Sequence, residues 1–346
     1  MAQPVISYPG AKWRFYPYMV EYFPTDMEVF IEPFLGGGSV TLSVADDPRF
    51  TKLERMIAGD LAPEQWAFWT GVKENPSDVM AIAEAWFREK CPHQIEMRES
   101  GIDGVEMRKY SSGELQIPTG ETTGDIERAI NLKQAVELYE EAIKEGVEFW
   151  KWAEAVDCST LSIPERAARI FLVNKISFSG MGDSGSLSKD QFCDFRLDKI
   201  GAIAKASPLL KRVEIYNVSF EDTMKYANDN PEHSFIFLDP PYYRQESSGL
   251  YGRNGDTHRG FPHEKFAEVT KNTPCKWFIT YDDSVKVRRM FRGKTALGDK
   301  CYIVPFTIPG GYTMAGKTAD DALAGEEVFI ANYDIKGMNK LDISTL

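Results

Sequence analysis

Residues 235–244, FIFLDPPYYR, place a carboxylate, two consecutive prolines and two aromatic rings directly behind a short apolar run. That run has the composition of a buried strand, so Asp239 stands at a strand end with its backbone fixed by a sheet. Pro240 and Pro241 lack backbone N–H groups and hold their φ angles, which leaves the carbonyls of Asp239 and Pro240 without neighbouring donors. A carboxylate beside a fixed carbonyl, with no donor nearby, suits an NH2 group. Tyr242, with Tyr243 next to it, offers a ring to the flat molecule that carries the amine. An amine on an aromatic base is a poor nucleophile, because its lone pair is delocalised into the ring. Accepting its hydrogens at Asp239 and at the Pro240 carbonyl favours a tetrahedral nitrogen and turns the lone pair toward an electrophilic carbon. In a duplex the amine is paired, so the base must rotate out of the stack to reach such a pocket. The plainer alternative is a strand-terminating turn with surface tyrosines.

A second constellation lies upstream, where MEVFIEPFLGGGSVTLSVAD reads as strand, glycine turn and helix. Gly36, Gly37 and Gly38 remove every β-carbon from the turn, which permits close approach of a ligand. Glu32 precedes the turn, and Asp60 ends the next expected strand, in KLERMIAGD. In a doubly wound sheet these two acids fall near each other at strand carboxyl ends, where an acid can accept both hydroxyl hydrogens of a ribose. GGG is neither the dinucleotide fingerprint nor the phosphate loop. The stretch FIEPFLGGGSVTLSVADD has three acids and no Lys or Arg, so it disfavours nucleotide phosphates and suits a cofactor with a positive centre, such as the sulfonium of S-adenosylmethionine. In YPGAKWRFYPY, Lys12 is a partner for a carboxylate such as that of a methionine moiety, and Trp13 a packing surface. A tight turn with solvated acids, an exposed lysine and a core tryptophan is the alternative.

The elements that must position these groups follow an α/β pattern. After the first strand–turn–helix unit, a helical stretch around DVMAIAEAWFREKC leads through a polar, glycine-containing interval to the acidic helix pattern IERAINLKQAVELYEEAIKEGVEFWKWAEAV. There Ile130, Ala135, Leu138, Ala142 and Val147 can share a buried stripe, with Phe149, Trp150 and Trp152 packing beside it. A further helix, PERAARIFLVNKISFSG, ends in the flexible run SGMGDSGSLS. Strand-length alternation returns in RVEIYNVSF, HSFIFLDPP, CKWFITYDD, KCYIVPFTI and EEVFIANYD, the last ones closing as an antiparallel hairpin. The expected architecture is a Rossmann-like α/β sheet, built by residues 1–75 and 208–346, with a mainly helical insertion over 76–207.

The 346 residues are 43% hydrophobic, enough for a sizeable core, and no apolar run approaches the roughly 20 residues that cross a bilayer. With no secretory leader pattern at the start, the cytoplasm is the expected location. Five scattered cysteines and four histidines signal neither a disulfide framework nor a metal site. Net charge is −12, which repels a polyanion at long range, yet residues 161–212 carry nine Lys or Arg against five acids. Arg166, Lys175, Arg196, Lys199 and Arg212 in that stretch, with Arg253 and Arg259 in the polar interval after the prolines, are the candidates for phosphate contact.

These residues together resemble the DNA N6-adenine methyltransferases of the Dam-like, D12 class. EPFLGGGS at 32–39 and DPPYY at 239–243 are the best matches; GAKWR, AGDLAP at 58–63, FLVNKISFSG at 171–180 and EEVFIANYD at 326–334 follow in the family's order. The resemblance implies S-adenosylmethionine as methyl donor, with Lys12 and Trp13 near its methionine and adenine parts, Glu32, Pro33, Phe34, Gly36, Gly37 and Gly38 around its backbone, Asp60 at the ribose and Phe220 beside the adenine. It implies Asp239, Pro240 and Tyr242 at a flipped adenine of duplex DNA, and it leaves open a cognate restriction endonuclease as partner against a solitary or viral role. Ser219 stands where relatives commonly have Asp, Lys175 where Arg is usual, and residues 98–125 match no motif. A cytosine-N4 enzyme shares the amine chemistry but tends toward Ser in place of Asp239. RNA or free nucleobases are further substrates for the same chemistry, and a binding module that keeps this shape without catalysis is the reading from another class. An NAD-dependent oxidoreductase lacks its fingerprint here.

Overall fold

The computed structural model describes residues 4–117, 119, 122–243, 260–307 and 326–335. Its centre is a seven-stranded sheet in the order β3-β2-β1-β4-β5-β7-β6. The strands are β1 Val29–Glu32, β2 Arg55–Gly59, β3 Val213–Tyr216, β4 Ser234–Leu238, β5 Lys276–Asp282, β6 Tyr302–Thr307 and β7 Glu326–Ala331. β3, β2, β1, β4 and β5 run parallel, whereas β7 inserts antiparallel between β5 and β6. The expected closing hairpin is therefore present, with β7 as its inner strand. β1 and β4 are buried along their whole length, as parallel strands covered on both faces must be.

Period-two alternation sorts the strand side chains. Phe30, Met56, Phe235, Phe237 and Phe278 join the core on one face, while Ile31, Ile57, Ile236, Leu238 and Ile279 join the core on the other. The helices, in chain order, are α1 Tyr16–Met19, α2 Ser39–Asp46, α3 Pro63–Glu74, α4 Pro76–Lys90, α5 Pro92–Glu99, α6 Gly104–Ser111, α7 Thr123–Ala155, α8 Ile163–Ile176, α9 Lys189–Asp194, α10 Gly201–Leu210, α11 Phe220–Met224, α12 His263–Asn272 and α13 Val285–Met290. Between β2 and β3 the described residues form helices and turns with no further strand of the sheet. Apolar contact runs unbroken from the first sheet face through Trp69 on α3 and Phe171 on α8 to Phe87 on α4 and Phe149 on α7.

Two sequence expectations change. The buried stripe of α7 is Tyr139, Ala142, Gly146, Phe149, Trp150 and Ala153, and Ile130 is half exposed. The first turns of this 33-residue helix, with Ile126 and Ile130, extend past the surface it packs on, whereas Ala135 and Leu138 of the expected stripe pack against the core while only partly buried. In RVEIYNVSF the strand stops at Tyr216, because Ser219 accepts a hydrogen bond from the Asp222 amide and caps α11.

The glycine turn joins β1 to α2, and each glycine has a packing reason. A β-carbon on Gly36 or Gly37 would lie 2.8 or 2.6 Å from the Tyr8 side chain, and one on Gly38 would lie 2.5 Å from Trp69. Gly38 also has φ of +65°, where a side chain is strained. Gly38→Ala is expected to lower stability by about 2–4 kcal/mol, from overpacking against a rigid indole plus the left-handed backbone, read as the shift in urea midpoint at unchanged slope. An unchanged midpoint would show that Trp69 yields freely.

Candidate active site

Strand order reverses between β1 and β4, because β2 and β3 extend the sheet to one side of β1 and β4 and β5 to the other. Open α/β sheets bind ligands in the crevice beyond the strand carboxyl ends at this reversal. Both constellations read from the sequence open there: Glu32 ends β1 and the glycine turn follows it, and Asp239 follows β4.

Asp239 is held by donors that the sequence did not suggest. Lys12 Nζ donates to its Oδ2 at 2.9 Å and Thr280 Oγ1 donates to its Oδ1 at 2.7 Å. The expectation of a donor-free carboxylate is thus corrected: the prolines remove local backbone donors, but β5 and the amino-terminal segment supply side-chain donors from far away in sequence. Register explains Thr280, since Leu238 pairs with Ile279 and the next residue on each strand meets across the ladder. Each Asp239 oxygen retains a second lone pair for another donor. Lys12 also donates to the Gly10 carbonyl at 2.7 Å, and its ammonium sits 5.0 Å from the Tyr242 ring centroid. The lysine side chain is 3% exposed and that of Asp239 21%, so the pair is closed on the lysine side and reachable on the other. Lys12, read as the partner of a carboxylate, has that partner within the chain.

Pro240 and Tyr242 are buried, and the Tyr242 ring stacks near Tyr281 at 5.9 Å between centroids. Tyr243 is half buried; its amide donates to Asp282 Oδ1 at 2.7 Å. Glu327 on β7 and Asp282 on β5, opposite each other in the ladder, add two buried carboxyl groups that the sequence reading passed over. Burial pushes Glu327 up to about 7; Lys12 draws it down, Asp239 raises it further, and a hydrogen bond with the Tyr242 side chain lowers it. The only signal in the sequence was the EE doublet opening an otherwise apolar strand.

At the glycine turn, Glu32 accepts hydrogen bonds from the Thr41 amide at 2.9 Å and from the Thr41 hydroxyl, tying β1 to the first turn of α2. Burial pushes its carboxyl up to about 8, against the lowering effect of both Thr41 bonds. Asp60 accepts from the Gly36 amide at 2.8 Å and from the Ala62 amide at 2.9 Å, one bond per oxygen, and burial lifts it to about 6. Pro33 is buried behind the turn. Phe34 and Phe220 stack with 5.7 Å between centroids, and Phe261 and Phe266 close round them. Trp13 is half buried with the Arg14 guanidinium 5.2 Å from its ring. Ser219, as the cap of α11, bonds Asp222 through both its hydroxyl functions.

The basic residues divide by their partners. Arg166 donates to Glu64 Oε1 at 2.7 Å and to the Pro63 carbonyl. Arg196 pairs with Asp198, and Arg212 donates to the carbonyls of Ala45 and Leu53. Lys199 donates to the Asp194 carbonyl at 3.2 Å. Lys175 lies 5.2 Å over the Phe171 ring; burial pushes it down to about 8, and the positive charge of Lys199 adds to the effect. Arg253 and Arg259 lie outside the described residues.

With this geometry in hand, comparison with known proteins decides the family. The family model of the D12 class N6 adenine-specific DNA methyltransferases matches residues 8–300. The chain belongs to that class. It is also 22% identical over 272 residues to the Type II methyltransferase M1.LlaDCHI of Lactococcus lactis subsp. cremoris, covering 76% of this chain and 72% of the relative. The matched span of the family model takes in the glycine turn, Asp60, Asp239 and Tyr242. It is thus an adenine-specific DNA methyltransferase, and enzymes of this kind generally use S-adenosylmethionine. Among the described residues no helix is long and apolar enough to cross a membrane.

The raised carboxyl of Glu32 has a sign that can be checked. A carboxyl that holds its proton longer in the folded state gives stability that is fully present below its ordinary value of 4.5 and is lost as pH rises through about 8. Glu32→Gln is neutral at every pH and still accepts from Thr41. Its unfolding temperature is expected to decline less between pH 6 and pH 9 than that of the unaltered chain; parallel declines would mean Glu32 is ionised throughout.

Proposed function

We propose that this methyltransferase transfers the methyl group of S-adenosylmethionine to N6 of an adenine rotated out of duplex DNA. The observation that carries the reading is the Asp239 carboxylate at the sheet's reversal point, clamped by Lys12 and Thr280 and followed by Pro240, Pro241 and Tyr242. The residues present fit such a cofactor. Asp60 keeps one lone pair per oxygen for ribose hydroxyls, the stacked Phe34 and Phe220 make a flat apolar wall suited to an adenine ring, and the surrounding acids favour a positive centre. When bound, the cofactor supplies a methyl group on positively charged sulfur.

The chain's own groups do the rest. Asp239 accepts one hydrogen of the target amine through a free lone pair and the Pro240 carbonyl accepts the other, so the nitrogen lone pair leaves the ring plane. Lys12 and Thr280 hold the carboxylate still while it does so. Once the nitrogen has bonded to carbon and become cationic, its surplus proton leaves through Asp239 or solvent. Tyr242 contributes the aromatic surface nearest this point, and Lys12 beside its ring fixes the ring's place.

Residues 76–207 are assigned to the DNA side of the molecule, supported by the excess of basic residues over 161–212. Within that stretch Lys175 and Lys199 are the pair best suited to hold a phosphate, because the positive charge of Lys199 disfavours that of Lys175 and an anion between them would offset it. The arginines at 166, 196 and 212 already hold protein acceptors, and Lys199 holds the Asp194 carbonyl at 3.2 Å, a single neutral acceptor that a phosphate would replace. The Type II relative supports a place beside a nuclease that cuts the same DNA word. Such a role requires one fixed word to be modified, with cleavage at that word blocked by the mark.

Duplex DNA incubated with the protein and S-adenosylmethionine should acquire N6-methyladenine at one sequence word, read by a sequencing method that reports this base. Methyl groups found on cytosine, or only on RNA, would defeat the reading. In the same assay Asp239→Ala should lose nearly all transfer, by about a thousandfold or more, with cofactor affinity changed far less. For Lys175→Met and Lys199→Met, DNA binding should lose about one unit of salt slope each. Because Lys175 is charged below about 8, duplex affinity of the unaltered protein should also fall more steeply from pH 7 to pH 9 than that of Lys175→Met. Superimposable salt and pH curves would remove the lysines from the DNA interface.

A further inference from the structure

Asn174 lies in the last turn of α8, 5% exposed, directly before Lys175. Its side-chain amide makes three hydrogen bonds: Oδ1 accepts from the Ser7 amide at 2.9 Å, and Nδ2 donates to the Ser7 carbonyl at 2.6 Å and the Gly180 carbonyl at 2.7 Å. One N–H and two carbonyls as partners leave a single orientation of the amide that satisfies all three. Asn174 therefore replaces, for Ser7, both hydrogen bonds that a neighbouring strand would give, and fastens the same point to the turn that follows α8.

Each partner belongs to a segment with its own task. Gly180 sits in the turn 177–187, where the Ser177 hydroxyl accepts from the Gly182 amide, Ser177 pairs with Leu187, and Ser179 has φ of 53°. A β-carbon on Gly180 would lie 2.2 Å from Ser7 Cβ, so turn and amino-terminal segment touch with no space between them. From Ser7 the chain passes Tyr8, whose ring covers Gly36 and Gly37, then Gly10, whose carbonyl receives Lys12 Nζ. Lys12 ends on Asp239. Ser7 to Lys12 is a strap of five peptide steps that turns at Gly10, where the Ala11 amide donates to the Tyr8 carbonyl at 3.0 Å, and it ends where the Lys12 amide donates to Ser39 Oγ at 3.1 Å, so a shift at Ser7 passes to Lys12 through a hydrogen-bonded turn.

We propose that Asn174 is a positioning residue: through Ser7 it makes the placement of Lys12, and hence of the Asp239 carboxylate, depend on how the 177–187 turn is seated. The turn adjoins Lys175, so the state of the DNA-facing side reaches the methyl-transfer site through one buried amide and one strap. The proposal rests on the methyl-transfer reading above for its consequence, and on the hydrogen bonds alone for its mechanism.

The test uses the full chain with S-adenosylmethionine and duplex DNA, in single-turnover methyl incorporation at saturation. Asn174→Ala should slow transfer by about tenfold or more, while the dissociation constants for cofactor and duplex each move less than about threefold. In a Lys12→Gln background the same change should cost no more than about twofold further, because both substitutions act on one clamp. Losses that multiply in full, or a loss confined to duplex affinity, would overturn the proposal. Hydrogen exchange at residues 7–12 should rise in Asn174→Ala relative to the unaltered protein, and unchanged exchange there would also overturn it. If the unaltered protein transfers no methyl group, the functional reading falls, whereas the exchange measurement still decides whether Asn174 holds the strap.

Discussion

Lys12 supplies the positive charge on which a set of buried carboxyl groups depends. It bonds Asp239 directly, lowers the proton affinity of Glu327, and lies over the ring of Tyr242, all with its side chain almost wholly out of water. An ammonium group in such a place is tolerable only while its partner is present, and removing either member of a pair of this kind costs about 3–5 kcal/mol through the charge left behind. The geometry of the candidate site and local stability are thus joined in one contact between residues 12 and 239. The fold has to bring the amino-terminal segment across the sheet's reversal point for that contact to exist.

The acids around the glycine turn form a complementary arrangement. Glu32 is buried and Asp60 partly so, and both have raised proton affinity, so their environment lacks enough positive charge for them in the free protein. A ligand with a cationic centre at the turn would relieve this, and an anionic one would worsen it. The glycines themselves are explained without any ligand, since Tyr8 and Trp69 occupy the space their β-carbons would need. The chemistry of the turn therefore resides in its carboxyl groups and backbone amides more than in its bare α-carbons.

The local parts of the site were readable because they are coded by adjacent residues. FIFLDPP fixes a strand end and an acid, EPFLGGGS fixes a strand, a turn and an acid, and the strand-length apolar runs in FIFL and EEVFIA report burial on a sheet. Thr280, Glu327 and the Lys12–Asp239 bond were not readable, because each depends on which strands lie side by side and in what register. A one-residue slip in the β4–β5 ladder would carry Thr280 to the far face of the sheet, and nothing in FITYDD by itself excludes that slip. The α7 stripe failed for a related reason: periodicity shows which side of a helix is apolar, but not where along its length a neighbour stops.

The insertion of β7 between β5 and β6 has a consequence in time. Five parallel strands can assemble once residue 282 exists, yet the inner antiparallel strand, which carries Glu327, is the last to be synthesised. A nascent chain emerging from the ribosome leaves β5 unpaired on that side until this strand arrives, so Glu327 is the last of the carboxyl groups to take its place beside Asp282. Pairings this distant in sequence fold slowly, which makes the unfinished edge of β5 the point where a chaperone would be most useful.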